Sequence, residues 1–292
     1  DAAVLVALTL LGGLDAIQHI VGAVTQHEFF RLLLLILVVS LLLGLLSLPF
    51  TVYRQFFLEE RFGFNRMTPS LFISDLCKGL LVGAVLGVPL VAAVLWLMAE
   101  AGSHWWRWAG GLWAGFNLLV LLIFPTWIAP LFNQFTPLDN PELDSRIKAL
   151  ASRCGFALNG LFVADGSKRS AHGNAYFTGF GRSRRIVFFD TLLSRLTGDE
   201  IEAVLAHELG HFKHKHIIKR LVLNFGGALL FFALLGWLSG QTWFYTDLGV
   251  TPQLGARNDA MALILFFLVV PIFTFMLTPL FSWFSRRDEF EA

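Results

Sequence analysis

Residues 32–50 read LLLLILVVSLLLGLLSLPF, nineteen positions without a charge. At 1.5 Å per residue such a helix nearly matches the ~30 Å hydrocarbon core of a bilayer. The runs 77–98, 108–129 and 261–284 meet the same test. Two others are weaker: 3–24 is interrupted by Asp15, Gln18 and His19, and 217–239 opens on Lys219 and Arg220. Polar groups inside a span face a bundle interior or a water-filled cavity, so the reading keeps both and expects six spans. The composition agrees, with 56% hydrophobic and only 15% charged residues in 292. Soluble domains carry roughly 25% charged residues, and this apolar excess would leave large hydrophobic patches facing water. Disorder, a disulfide-rich module and an ordinary soluble enzyme are excluded. The apolar start at 3–24 lacks the basic n-region and cleavage site of a signal peptide. A net charge of +1 gives no footing for nucleic acid, and Cys77 and Cys154 form neither a disulfide framework nor a CxxC metal spacing.

Six alternating spans place 51–76, 130–216 and the C-terminal tail on one side of the bilayer. The opposite side receives only Arg31, Arg107 and Arg257 of the 22 Lys and Arg residues. The short loop 51–76 carries Arg54, Arg61 and Arg66, with Lys78 just beyond. The positive-inside rule makes that side cytoplasmic.

The sequence divides into a membrane region of four spans at 1–129, a soluble module at 130–216, and two further spans at 217–292. In the module, a helix is expected from about Glu142 to Arg153, stopped by Gly155. Strands are expected at Leu161–Ala164, Asn174–Phe180 and Ile186–Phe189, the last two joined by a turn at Gly181-Arg182-Ser183-Arg184. The fold class is therefore mainly α, a polytopic transmembrane helical bundle with a small inserted α+β module.

The chemistry sits at the module's end. Thr197 and Glu200 have the spacing of a capping box opening a helix that runs into His207-Glu208-Leu209-Gly210-His211. Residues four apart share a helix face, so His207 and His211 can converge on one Zn²⁺. Glu208, beside the metal rather than on it, can take a proton from the activated water and pass it to the leaving amine. Chance supplies an HExxH in a chain of this composition roughly 0.007 times. A third protein ligand is needed. His214 shares the face but lies about 10.5 Å along the axis from His207, too far to converge. His216 points elsewhere, and both read as polar residues at the membrane boundary. The tail Ser285-Arg286-Arg287-Asp288-Glu289-Phe290-Glu291-Ala292 returns on the same side. Chemistry alone leaves Asp288, Glu289 and Glu291 equal.

HELGH at 207–211, with His216 five residues on, resembles the type I CAAX prenyl protease family of integral-membrane zinc metalloproteases. So do 58–65 (LEERFGFN), 128–138 (IAPLFNQFTPL), Asn174-Ala175-Tyr176-Phe177, Arg185-Ile186-Val187 and Phe189-Asp190-Thr191-Leu192-Leu193. The family's SRxxExxAD pattern falls on Ser285, Arg286, Glu289 and Ala292, with its final Asp not matched in this sequence, which implies that Glu289 is the third ligand of one zinc ion per chain.

The resemblance implies that the spans enclose a chamber, with Asp15, Gln18 and His19 lining it. It also implies that Asn174, Ala175 and Tyr176 hold substrate, a role that suits an exposed strand edge able to add a peptide strand. The implied substrate is a peptide or protein, prenylated at its C terminus in eukaryotic relatives. The family has seven spans, so a bacterial homologue cut at both ends, in the inner membrane with its catalytic side cytoplasmic, is expected. The setting becomes the endoplasmic reticulum or inner nuclear membrane if the source is eukaryotic. Arg182, Arg184 and Arg185 suit anionic lipid or solvent, and Glu59, Glu60 and Asn65 a brace for the module. The rival class is a membrane transporter or scaffold whose metal site is not catalytic. A site-2-type intramembrane protease would set HExxH in an apolar span, whereas Glu200, Glu202, Lys213 and Lys215 flank this one.

Overall fold

Among the described residues, five helices are long and apolar enough to cross a bilayer: Glu28–Arg61, Pro69–Glu100, Gly102–Phe132, His216–Leu238 and Asp259–Glu291. They come from a computed structural model, which describes residues 2–156, 158–178, 185–252 and 257–292. The turn Gly181–Arg184, with Arg182 and Arg184, lies outside the described residues. A sixth crossing exists if Ala2–Leu8 and Gly13–Val24 count as one span bent by 52°. The bend has a local cause. Gly12 takes a left-handed φ of 76°, and a Cβ at Gly13 would meet the Ala7 carbonyl at 2.6 Å. The long helices are apolar around their whole circumference. Phe50, Leu81, Val85, Leu230, Phe273, Phe275 and Met276 stand exposed, as side chains meeting hydrocarbon do.

The chain separates into two compact units. The first holds Asp1–Leu48, Ala84–Phe116 and Val222–Ser282. Its core contains Leu14, Val21, Leu35, Leu95 and Ala109, packed with the unbroken buried run Ala260–Phe266. A polar tie closes it: Arg257 Nε donates to Asp259 Oδ2 at 2.8 Å, and its Nη2 donates to the Leu95 carbonyl at 3.2 Å. Asp15, Gln18 and His19 line a polar cleft of about 500 Å³ with Gly22, Arg31, Thr251 and Pro252.

The second unit holds Pro49–Gly83, Asn117–Leu221 and Trp283–Ala292. Its sheet has β1 (Phe135–Pro137), β2 (Leu161–Ala164), β3 (Ala175–Thr178) and β4 (Arg185–Phe189) in the order β1-β2-β4-β3. β2 and β4 run parallel, and β1 and β3 flank them antiparallel. The inner strands are therefore covered on both sides, and β3 is an edge. Helix Pro141–Arg153 starts where Asn140 accepts the Leu143 N–H at 3.0 Å. It packs with helix Gly198–Lys213 around Leu143, Ile147, Leu161, Ile186, Phe188, Ile201 and Leu205.

Glu59, Glu60 and Asn65 form the expected brace. Asn65 bridges to Ser170 in antiparallel register and donates to Glu60 at 2.9 Å. The Ala171 N–H donates to the Phe64 carbonyl at 2.9 Å, and the His172 ring stacks on Phe64 at 4.1 Å. The Arg169 guanidinium spans both Asp75 oxygens at 2.7 and 3.0 Å. Cys77 and Cys154 are both exposed free thiols.

Candidate metal centre

The HELGH helix is placed by its apolar stripe. Ile201, Leu205 and Leu209 are four apart and buried, the first two against the sheet core and Leu209 with Ala151 and Phe156. Phe156 meets Phe177 and Phe212 edge-on at 5.1 and 5.0 Å, anchoring the helix's far end. The N terminus carries the expected capping box: the Thr197 hydroxyl accepts the Glu200 N–H, and the Glu200 carboxylate accepts the Thr197 N–H at 2.8 Å. With that stripe turned inward, His207 and His211 occupy another face.

The third component arrives on the last turns of helix Asp259–Glu291. His207 Nε2 lies 3.2 Å from Glu289 Oε2, and His211 Nε2 lies 3.3 Å from the same oxygen. His211 is the more enclosed, its side chain 14% exposed against 41% for His207. Two nitrogen lone pairs and an anionic oxygen at this spacing repel unless a proton or a cation lies among them. A tetrahedron with ligand bonds of ~2.0–2.1 Å has edges of roughly 3.3–3.4 Å, so this donor set fits Zn²⁺.

Two further contacts set the carboxylate. Arg220 Nη2 stands 3.8 Å from Glu289 Oε1, leaving Oε2 to the histidines, and Arg220 Nε donates to Asp288 Oδ2 at 3.2 Å. Gly210, inside HELGH, meets the Ala292 backbone so closely that a Cβ would overlap its carbonyl. Glu208 is partly exposed, and its carboxylate has no ion-pair partner among the described residues.

Asn174, Ala175 and Tyr176 stand at the edge strand β3 and its entry. The exposed Asn174 accepts the Ala175 N–H at 2.9 Å, and burial pushes the Tyr176 phenol up. No hydrogen bond among the described residues joins them to the His207–Glu289 cluster. His216 requires a correction. Expected to point away from the site, it stands at the start of a membrane-crossing helix yet is 1% exposed, and its Nδ1 sits 2.9 Å from His211 Nδ1. The reason is a break: the helix ends at Lys213 with His214 as its cap, Lys215 takes a left-handed φ of 56°, and a new helix begins at His216. His214 stacks on His216 and does not join His207 and His211. Arg220 also escaped the sequence reading, which counted it only as a weak start to a span.

Membrane helices and a capped HExxH helix meeting a returning carboxylate define a membrane-embedded peptidase class, and comparison with known proteins bears this out. Residues 1–134 match the family described as CAAX prenyl protease N-terminal, five membrane helices, and residues 137–292 match peptidase family M48. The chain belongs to the type I CAAX prenyl proteases of that family. It is 36% identical to CAAX prenyl protease 1 of Saccharomyces cerevisiae, covering 98% of this chain and 65% of that protein. It is 34% identical to the CAAX prenyl protease 1 homolog of Taenia solium, covering 93% of this chain and 63% of the relative. The chain thus spans somewhat under two thirds of these curated relatives. The crystal structure of S. mikatae Ste24p superposes with a TM-score of 0.83 at 35% identity, covering 94% of this chain and 68% of the other.

Proposed function

We propose that this chain is an integral-membrane zinc metalloendopeptidase, with His207, His211 and Glu289 holding one zinc ion and Glu208 as general base and acid. The observation that carries this is the convergence of two imidazole Nε2 atoms on one Glu289 oxygen, at 3.2 and 3.3 Å. Zinc, when bound, supplies Lewis acidity that polarises the scissile carbonyl and brings water into reach of deprotonation near neutral pH. Glu208 takes the proton from the attacking water on its carboxylate and returns it to the departing amine. Arg220 keeps Glu289 turned toward the histidines, and the buried Leu205 and Leu209 hold the helix that carries the general base.

In this reading β3 holds the substrate. Its outer edge lacks a strand partner among the described residues, so an extended peptide can add there at the outward carbonyl of Ala175, with Asn174 and Tyr176 on either side. The exposed amide of Asn174 can bind the peptide backbone as well. The substrate class is a peptide or protein at the membrane, with a prenylated CAAX terminus where the cell makes one. The names of the relatives support that choice. Residues 1–129 supply the membrane region, 130–216 the catalytic module, and 217–292 the spans that return Glu289. The Lys and Arg distribution puts the catalytic side in the cytoplasm, at a bacterial inner membrane or, in a eukaryotic cell, at the endoplasmic reticulum or inner nuclear membrane.

The test is Glu208→Gln, assayed for zinc content and for cleavage of farnesylated and unmodified reporter peptides. Zinc retained with cleavage lost supports the mechanism. Undiminished cleavage removes Glu208 from it, and cleavage of neither reporter by the wild type rejects both substrate choices.

A further inference from the structure

The break after the HELGH helix has a use. Lys215 is the one non-glycine residue with positive φ among the described residues, a conformation that is costly for a side chain with a Cβ. It turns His216 back onto His211, placing the two rings 5.1 Å apart with Nδ1 facing Nδ1 at 2.9 Å. His216 Nε2 points the other way, toward Glu291 Oε2 at 3.5 Å and Asp288 Oδ1 at 3.8 Å. It is the one fully buried side-chain polar atom without a hydrogen-bond partner among the described residues.

Counting protons decides what this arrangement does, on the proposed reading that His211 Nε2 faces a metal. Two ring nitrogens 2.9 Å apart need one proton between them. With the Nε2 lone pair of His211 given to the metal, the single proton of its neutral ring is on Nδ1, and it is donated to His216 Nδ1. His216 then carries its own proton on Nε2, where two carboxylates face it. His214, His216 and Glu291 also bring donor atoms within 4.8 Å of one another, the spacing of a second metal site. An ion there would need the lone pair of His216 Nε2. That would move the His216 proton to Nδ1, against the proton already on His211 Nδ1.

We infer that His216 is a positioning residue: its buried imidazole fixes the tautomer and ring orientation of His211, and Asp288 and Glu291 anchor its far side. The three acids of the tail then divide their work on one helix end. Glu289 faces the HELGH histidines, while Asp288 and Glu291, three residues apart and so on one face, hold His216. Partners of this kind orient the metal's own ligands and typically change metal affinity about 10–100-fold.

The experiment uses the full chain in detergent, with zinc affinity measured by chelator competition and the visible absorption spectrum recorded for the Co²⁺-loaded protein. His216→Leu should weaken zinc binding about 10–100-fold and shift the cobalt spectrum. Its kcat should fall by a similar factor while KM stays within about twofold, because substrate binding is untouched. His216→Asn keeps an amide oxygen where Nδ1 stands, and should recover most of the affinity and the wild-type spectrum. If His216→Leu does not fold, the double variant Asp288→Asn/Glu291→Gln replaces it and should weaken zinc several-fold. Wild-type affinity and spectrum in the variant tested overturn the inference, as does an Asn variant no better than Leu. Two zinc ions on the wild type, one lost in His216→Leu, overturn it in favour of a second metal site. No zinc on the wild type, or undiminished binding in His207→Ala, would instead bring down the catalytic reading beneath it.

Discussion

Two helices meet at the metal centre, and they are held in place by opposite means. Helix Gly198–Lys213 is short, capped and one-sided, with Ile201, Leu205 and Leu209 locked into the second unit's core. Helix Asp259–Glu291 is apolar all round, and from Phe273 to Phe290 almost every large side chain is exposed. Burial positions the first. The tip of the second is positioned by polar contacts, Arg220 with Asp288 and Glu289, and by the close backbone approach at Gly210. Two ligands therefore stand on a rigid platform, and the third sits on a tether.

That contrast is strongest at the ligands. Glu289→Ala should abolish zinc retention through dialysis and reduce peptide cleavage by at least ~10³-fold, while thermal unfolding of the module changes little. Retained zinc would mean that the tether brings no ligand. Leu205→Ala attacks the platform instead. It opens a cavity under the helix and should cost about 2–5 kcal/mol of stability, read from denaturant unfolding. The fraction still folded should bind zinc normally. Loss of zinc in that fraction would show that the platform is less rigid than its burial implies.

Gly210→Ala tests the meeting point. The added methyl pushes against the Ala292 backbone and should cost about 1–3 kcal/mol. Zinc affinity should fall more than overall stability does, because the displaced element carries Glu289. Arg220→Gln loosens the tether without steric strain. Exposed ion pairs contribute only ~0.2–1 kcal/mol, so zinc affinity should fall just a few-fold, and less in high salt.

The smallest effect belongs to the cap. The Thr197 backbone N–H and then its hydroxyl hold the Glu200 carboxyl below its ordinary value of 4.5. A lowered carboxyl contributes stability above the unfolded value and loses it as pH falls through the folded one. The melting temperature of Glu200→Gln should therefore fall less steeply below pH 4.5 than that of the wild type. Parallel pH profiles would leave this carboxylate no part in acid sensitivity.

The platform is more legible in the sequence than the tether, for physical reasons. A capping box, a four-residue apolar stripe and an i,i+4 histidine pair are local patterns, so Thr197, Leu205, His207 and His211 could be placed from spacing alone. The strands 161–164 and 186–189 were legible as short β-branched and aromatic runs. Choosing Glu289 over Asp288 and Glu291 needed the family resemblance, because the contact bridges 82 positions along the chain and no local pattern encodes it. His216 was misjudged since its placement depends on a left-handed Lys215, and lysine does not announce positive φ as glycine does. Arg220 was hidden by the same break. The bend between Ala2–Leu8 and Gly13–Val24 was not anticipated, because 3–24 was taken as one apolar run.

The central claim is that His207, His211 and Glu289 form one zinc site. Its most direct measurement is metal content combined with zinc X-ray absorption on the purified chain. One zinc per chain, with two imidazole nitrogens and a carboxylate oxygen that is lost in Glu289→Ala, is the predicted result. A metal-free protein, or a zinc coordination unchanged in Glu289→Ala, would contradict it.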